Sequence, residues 1–142
     1  MQDKVIKTRQ DYDAFKALGY EPLRDTHFLM NHSLRVEIQK EIFGVGNKEE
    51  NNIRFYRYAW KVSNPKNCEN CGVPLERYSS VHISHILSRG AHPNMAYDLR
   101  NFNLLCYRCH EQWESPLTRE GMRIYTKNQR IIEKLRKEYD GI

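Results

Sequence analysis

Cys68-Glu69-Asn70-Cys71-Gly72 and Cys106-Tyr107-Arg108-Cys109-His110 are two Cys-x2-Cys turns, with 34 residues between Cys71 and Cys106. Each tight turn aims two sulfurs at one point, and a second pair closes a tetrahedral shell. The spacing therefore predicts one Zn2+ held by Cys68, Cys71, Cys106 and Cys109. Four sulfurs leave no coordination position open, so the ion is read as structural. Gly72 permits the turn after the first pair. The second pair is expected to open a helix whose positive end favours thiolates at Cys106 and Cys109. Free or redox-active cysteines are the competing reading.

Between the pairs, Ser79-Ser80-Val81-His82-Ile83-Ser84-His85-Ile86 has strand composition. A loop from Leu87 to Arg100 follows, then Asn101-Phe102-Asn103-Leu104-Leu105 as a short strand, then the helix opened by Cys106. His85, Asn101 and His110 stand in that order. This arrangement resembles the HNH endonuclease family over roughly residues 66 to 115, about a third of the chain.

The resemblance implies a ββα-metal (HNH, or His-Me finger) core with a structural zinc; with the N-terminal helices and long C-terminal helix read from the flanking sequence, which it does not cover, the expected chain is α+β. The resemblance further implies that His85 is the general base that activates water, a task suited to an imidazole that is neutral near working pH. Asn101 would hydrogen-bond within the loop and orient that histidine, although it also reads as an ordinary turn residue. His110 would bind a catalytic Mg2+ or Mn2+, or a second Zn2+. Glu114 lies four residues on, so on a helix it shares the face of His110 while Cys109 faces elsewhere. It is either the second ligand, favouring a hard cation, or a solvated helix-end charge. The family usually places Asp or His immediately before the base, and here that position is Ser84. His82, two residues earlier and so expected on the strand face of Ser84, is the nearest substitute ligand, with His92 in the loop as another. The implied reaction is phosphodiester hydrolysis that leaves a 5′-phosphate end, with the metal stabilising the departing 3′ oxygen.

Outward from this core the chain divides as 1–64, a helical region packing on the core; 65–115, the core; and 116–142, a basic helix. Tyr12, Phe15 and Leu18 outline a first helix ended by Gly19. Ser33 is positioned to cap a second, whose Leu34, Ile38 and Ile42 precede Gly44. A third runs from Lys48 to Val62 and stops before Asn64-Pro65. Its Arg54, Arg57 and Lys61 share a face that either follows a phosphate backbone or is simply solvated. Ser115-Pro116 reads as the start of the last helix. On it Arg119, Arg123, Lys127, Arg130, Lys134 and Lys137 form a continuous basic ridge, while Met122, Tyr125, Ile132, Leu135 and Tyr139 form the buried stripe.

Net charge is +5, and the excess lies mainly in residues 116–142, with seven basic against four acidic side chains. A basic surface suits DNA as partner, with Arg89, Arg119, Arg123, Lys127 and Arg130 as candidate contacts. No apolar run approaches the ~20 residues that span a bilayer, and the start lacks a signal peptide's apolar stretch. The expected setting is cytoplasmic, with neither membrane nor organic cofactor. The rival reading is a non-catalytic zinc-knuckle DNA-binding module, which the Ser84 departure favours; RNA as substrate stays open.

Overall fold

The computed structural model describes residues 4–141. Elements run in the order β1 (Lys4–Ile6), α1 (Arg9–Ala17), β2 (Phe28–Met30), α2 (His32–Phe43), α3 (Lys48–Val62), β3 (Ile83–His85), β4 (Phe102–Leu104), α4 (Tyr107–Glu114) and α5 (Tyr125–Asp140). The chain is α+β, with two small sheets and five α-helices among the described residues.

Helix starts follow the capping chemistry. Thr8 accepts from Asp11 N while the Asp11 carboxylate accepts from the Thr8 N–H, a reciprocal box that starts α1 two residues earlier than its apolar spacing suggests. Asn31 rather than Ser33 caps α2, its Oδ1 accepting from Leu34 N. Either side chain can cap, but Asn31 directly follows β2, so the helix begins as soon as the strand ends. α3 has the expected span, opened by an Asn47–Glu50 box and ended at the extended Ser63.

The N-terminal third is not purely helical. β1 and β2 pair in parallel, with Lys4 opposite Phe28 and Ile6 opposite Met30. Ile6 and Phe28 are buried in a cluster with Ile38, Phe43, Phe55, Ala59, Leu99 and Phe102. Each Ile, Leu or Phe side chain among them contributes about 1.5–3 kcal/mol by leaving water. This cluster seats α2 and α3 against the central strands. A second cluster, containing Cys68, Ile86, Trp113, Ile132 and Leu135, seats α5 against the cysteine turns and α4.

Two expected elements are shorter than their composition suggested. Residues 79–86 are not one strand: Ser80–His82 form a 3-10 turn, and only Ile83–His85 pair with β4. The last helix does not open at Ser115-Pro116. Ser115 ends α4, the Thr118 hydroxyl donates to the Gln112 carbonyl, Arg119–Gly121 form a 3-10 turn, and α5 starts at Tyr125. The extended Met122 and the following Ile124 are both buried in the second cluster, so burying them costs the helix its first turns. The basic ridge is broken accordingly, and Arg119 and Arg123 are not on α5.

One polar network joins α5 to the loop before β4. Arg100 donates through Nε and Nη2 to both carboxylate oxygens of the fully buried Asp98, and through Nη1 and Nη2 to Glu138. Burial opposes both charges, but the pairing wins, holding Asp98 below the usual carboxylate range and Arg100 above its own. Breaking such a pair from one side costs about 3–5 kcal/mol.

Candidate metal centre and catalytic cleft

The first Cys-x2-Cys turn closes through Gly72 N donating to the Cys68 carbonyl, with Gly72 at φ +82°. Cys106 caps α4 and Cys109 lies one turn inside it. The four sulfurs lie within 4.8 Å of one another, and Cys71 Sγ to Cys106 Sγ is 3.8 Å. Tetrahedral zinc with Zn–S near 2.3 Å requires sulfurs about 3.8 Å apart, so the cluster fits such an ion. Around it, Asn70 Nδ2 donates to Cys109 Sγ at 3.3 Å, while Asn70 Oδ1 accepts from Ile124 N. Burial raises the Cys68 thiol, but N–H groups of Cys71, Cys106 and Asn70 outweigh it and bring it down to about 7. Burial pushes Cys109 up to about 12. A bound dication would let all four be thiolates at once.

On the other face of α4 lies a cleft of about 830 Å³. His85, from β3, and His110 and Glu114, from α4, line it together with Arg89, His92, Arg119 and Arg136. His85 stacks on Phe55, with centroids 5.5 Å apart and planes 23° apart. Its Nε2 lies 2.8 Å from the Ala96 carbonyl oxygen. A carbonyl only accepts, so Nε2 carries the proton and the lone pair sits on Nδ1. Burial, with smaller contributions from Arg89 and His110, holds this imidazole below its ordinary pKa and so in the neutral form.

Asn101 is 0% exposed and works on the loop rather than in the cleft. Its Oδ1 accepts from Leu87 N at 2.8 Å, and its Nδ2 donates to the carbonyls of Leu87 and Met95 at 3.0 and 3.1 Å. Met95 immediately precedes Ala96, whose carbonyl holds His85. The turn reading of Asn101 thus gives way to a side chain that ties both ends of the loop together.

His110 Nδ1 meets the Val81 carbonyl. Nε2 then lies 2.8 Å from Glu114 Oε1. A lone pair and a carboxylate oxygen repel at that distance unless a cation, proton or metal, lies between them. The expected sharing of one helical face by His110 and Glu114 is therefore observed, and the pair offers one imidazole nitrogen and one carboxylate.

The ligand proposed in place of Ser84 fares less well. Because residues 80–82 form a 3-10 turn, His82 is not on the strand face of Ser84 and does not line the cleft. It packs near Trp60, with Nδ1 buried and without a hydrogen-bond partner. Burial and then the nearby His110 hold it below its ordinary pKa. Ser84 pairs with Asn103 while His85 pairs with Phe102, so the two point to opposite faces, and Ser84 is wholly buried. Among the described residues the four cysteines are the one group of three or more close His, Cys, Asp or Glu ligand atoms.

The candidate DNA contacts also redistribute. Arg89 donates to the Tyr56 hydroxyl at 2.6 Å, and Arg119 lies over the Trp113 ring with Nε donating to the Trp113 carbonyl. Both face the cleft. Lys127 instead reaches Glu69 at 3.3 Å beside the cysteine turns, and Arg123 lines a separate hollow there. Arg130 is exposed and does not line the cleft. Arg54 donates to the Phe43 carbonyl and Arg57 lies over Tyr78, so the α3 stripe does local structural work. Among the cleft residues that sequence reasoning did not single out are Arg136 on α5 and Tyr56 on α3. Arg136 stands off the regular basic ridge, and no pattern signals it.

No helix among the described residues is long and apolar enough to cross a membrane. No curated protein and no solved structure matches the chain. Residues 68–115, which carry both cysteine pairs, β3, β4 and α4, match the family model for HNH endonuclease.

Proposed function

We propose that the chain is a metal-dependent endonuclease that hydrolyses DNA phosphodiester bonds, with β3, β4 and α4 as its ββα-metal core. The observation that carries this reading is His85: a neutral imidazole whose Nε2–H is fixed on the Ala96 carbonyl, lining one cleft with the His110–Glu114 pair and three arginines. Cys68, Cys71, Cys106 and Cys109 hold a structural Zn2+. His110 and Glu114 would hold a hard divalent ion, Mg2+ or Mn2+. When bound, that ion supplies charge stabilisation at the scissile phosphate and the departing 3′ oxygen. His82, with its orphan Nδ1, is a further candidate ligand, and His92 lines the rim.

His85 Nδ1 takes a proton from water, and the resulting hydroxide attacks phosphorus in line, leaving a 5′-phosphate end. The Ala96 carbonyl stabilises the imidazolium that forms, as its bond opposes the effect of burial. Asn101 keeps that carbonyl in place. Arg89, Arg119 and Arg136 contact phosphates on either side of the scissile bond. The Nδ1 lone pair that His85 keeps while its Nε2–H is fixed on Ala96, in the cleft that His110 and Glu114 also line, favours this over a purely DNA-binding zinc module.

The test is nicking of supercoiled plasmid with Mg2+ or Mn2+, repeated with EDTA. His85→Ala should lose at least about 100-fold in rate with DNA affinity nearly intact. Metal-independent nicking, or a His85→Ala variant that cuts like the wild type, would overturn the assignment.

A further inference from the structure

A second cavity, of about 660 Å³, opens on the far side of α5 from the cleft. Lys134 and Glu138 line it, whereas Arg136 lines the cleft. At 100° per residue, Arg136 stands about 160° from both. The cavity has an apolar wall of Ile6, Phe28 and Met30, and the first turn of α2, with Asn31 and His32, opens onto it.

Its charge is one-sided. Lys7, Arg35, Arg100 and Lys134 line it against a single carboxylate, Glu138. Glu138 is committed to Arg100, whose guanidinium makes four hydrogen bonds to Asp98 and Glu138 together. Arg35 is far less well met. Its residue is 1% exposed, yet its one hydrogen bond is Nη1 to the Leu23 carbonyl at 3.3 Å, and Nε is buried with no partner. A guanidinium has five N–H donors, and burying a cation with donors unused is unfavourable unless something else meets them. His32 Nδ1 is likewise buried without a hydrogen bond, 3.8 Å from Glu138 Oε1.

We propose that this cavity binds a small organic anion, a carboxylate or phosphate group on an apolar body. The oxyanion sits on the free edge of Arg35 at the positive end of α2, with Lys134 at the mouth, and the apolar body lies against Ile6, Phe28 and Met30. A guanidinium edge matches two oxygens of either group, and the helix N-terminus adds to the attraction. The site is independent of the nuclease reading and shares no residue with the cleft.

Phenyl phosphate and benzoate are the probes, titrated separately into the 15N-labelled, zinc-loaded chain against KCl at matched ionic strength. Saturable shifts at the amides of Ile6, Met30, His32 and Arg35 are expected with at least one probe, and the stronger binder identifies the head group. Arg35→Met should weaken that binding about tenfold or more, as loss of a charged hydrogen bond does. Lys134→Ala should weaken it several-fold, and because Lys134 is part-exposed this variant keeps the question answerable if Arg35→Met fails to fold. Shifts no larger than those of KCl, shifts centred on His110 and Arg136, or Lys134→Ala binding as the wild type would each overturn the proposal.

Discussion

Asn101→Ala separates positioning from chemistry most cleanly. The side chain is fully buried and serves three backbone groups: Leu87 N, Leu87 O and Met95 O. Truncation leaves all three without a partner, at about 1–3 kcal/mol each before relaxation. Water entering the vacated space recovers part of this, so about 3–5 kcal/mol is expected. Against a total stability of about 5–15 kcal/mol the chain still folds, with Tm lowered by roughly 10–15 °C. The local effect falls on His85. With Met95 released, the Ala96 carbonyl no longer fixes Nε2, and kcat should fall by about tenfold or more while KM stays close to wild type. The pH profile gives the decisive readout. Burial is the largest influence on His85 and lowers its pKa, whereas the Ala96 bond raises it by less. Loosening the loop rehydrates the ring, so the acid limb of the rate profile should move up toward the ordinary value near 6.5. Loss of the carbonyl bond alone would move it down. Thermal melts and nicking rates measured across pH on the same preparations test both halves. An Asn101→Ala protein that melts within about 2 °C of wild type, or one whose acid limb does not move, would refute the reasoning.

Other outcomes follow from the same geometry. His110→Ala and Glu114→Ala should each raise the Mn2+ half-saturation of nicking, and excess metal should partly rescue both but not His85→Ala; an unchanged half-saturation in Glu114→Ala would leave that residue a solvated charge, and the same titration on His82→Ala decides whether it is a ligand. Cys68→Ser should lose zinc and most native circular dichroism, because binding energy at such a site is largely folding energy; native spectra and Tm in that variant would remove the structural zinc. Arg136→Ala should weaken DNA binding and reduce the salt slope by about one unit, whereas Arg130→Ala, turned away from the cleft, should change neither; equal effects would return the ridge to the DNA interface.

Legibility from sequence tracked how local the determining chemistry is. The cysteine pairs and the span of α3 were legible because each is set by residues within a few positions: two turns, an Asn47–Glu50 box, a proline. The meeting of His110 and Glu114 followed from helical spacing alone. What escaped depends on distant partners. β1 and β2 are three residues each, and they are defined by pairing with each other rather than by composition. α5 starts late because Met122 and Ile124 are buried against residues far away in the chain. The carbonyl that sets the His85 tautomer belongs to Ala96, and no side-chain pattern can announce a backbone oxygen. Ser84→Asp, which would restore the family's usual carboxylate before the base, is for the same reason unpromising. Ser84 is wholly buried beside the Asn103–Asn128 amide pair, so the new charge would have no cleft to enter.

α4 explains why the four-cysteine cluster and the proposed catalytic cleft share so short a segment. The helix has eight residues, fewer than the ~12–15 at which an isolated helix becomes even marginally stable, so its orientation must come from its ends. At its start Cys106 and Cys109 belong to the sulfur cluster, and Asn70 ties Cys109 to the chain entering α5. At its far end Trp113 is buried, and its Nε1–H donates to the Ile86 carbonyl at 3.1 Å, one residue after His85. Between these anchors His110 is held by the Val81 carbonyl, four residues before His85. The segment flanking the proposed base is thus bonded on both sides to the helix that carries the proposed metal ligands. A shift of α4 relative to the cysteine turns would move His110 and Glu114 against His85, and a misplacement on the order of 1 Å can cost about 100-fold in rate. On this argument the four-cysteine centre belongs to the cleft's geometry although no sulfur lines it, and a loss of zinc too slight to unfold the chain should appear first in nicking rate and only later in the melt.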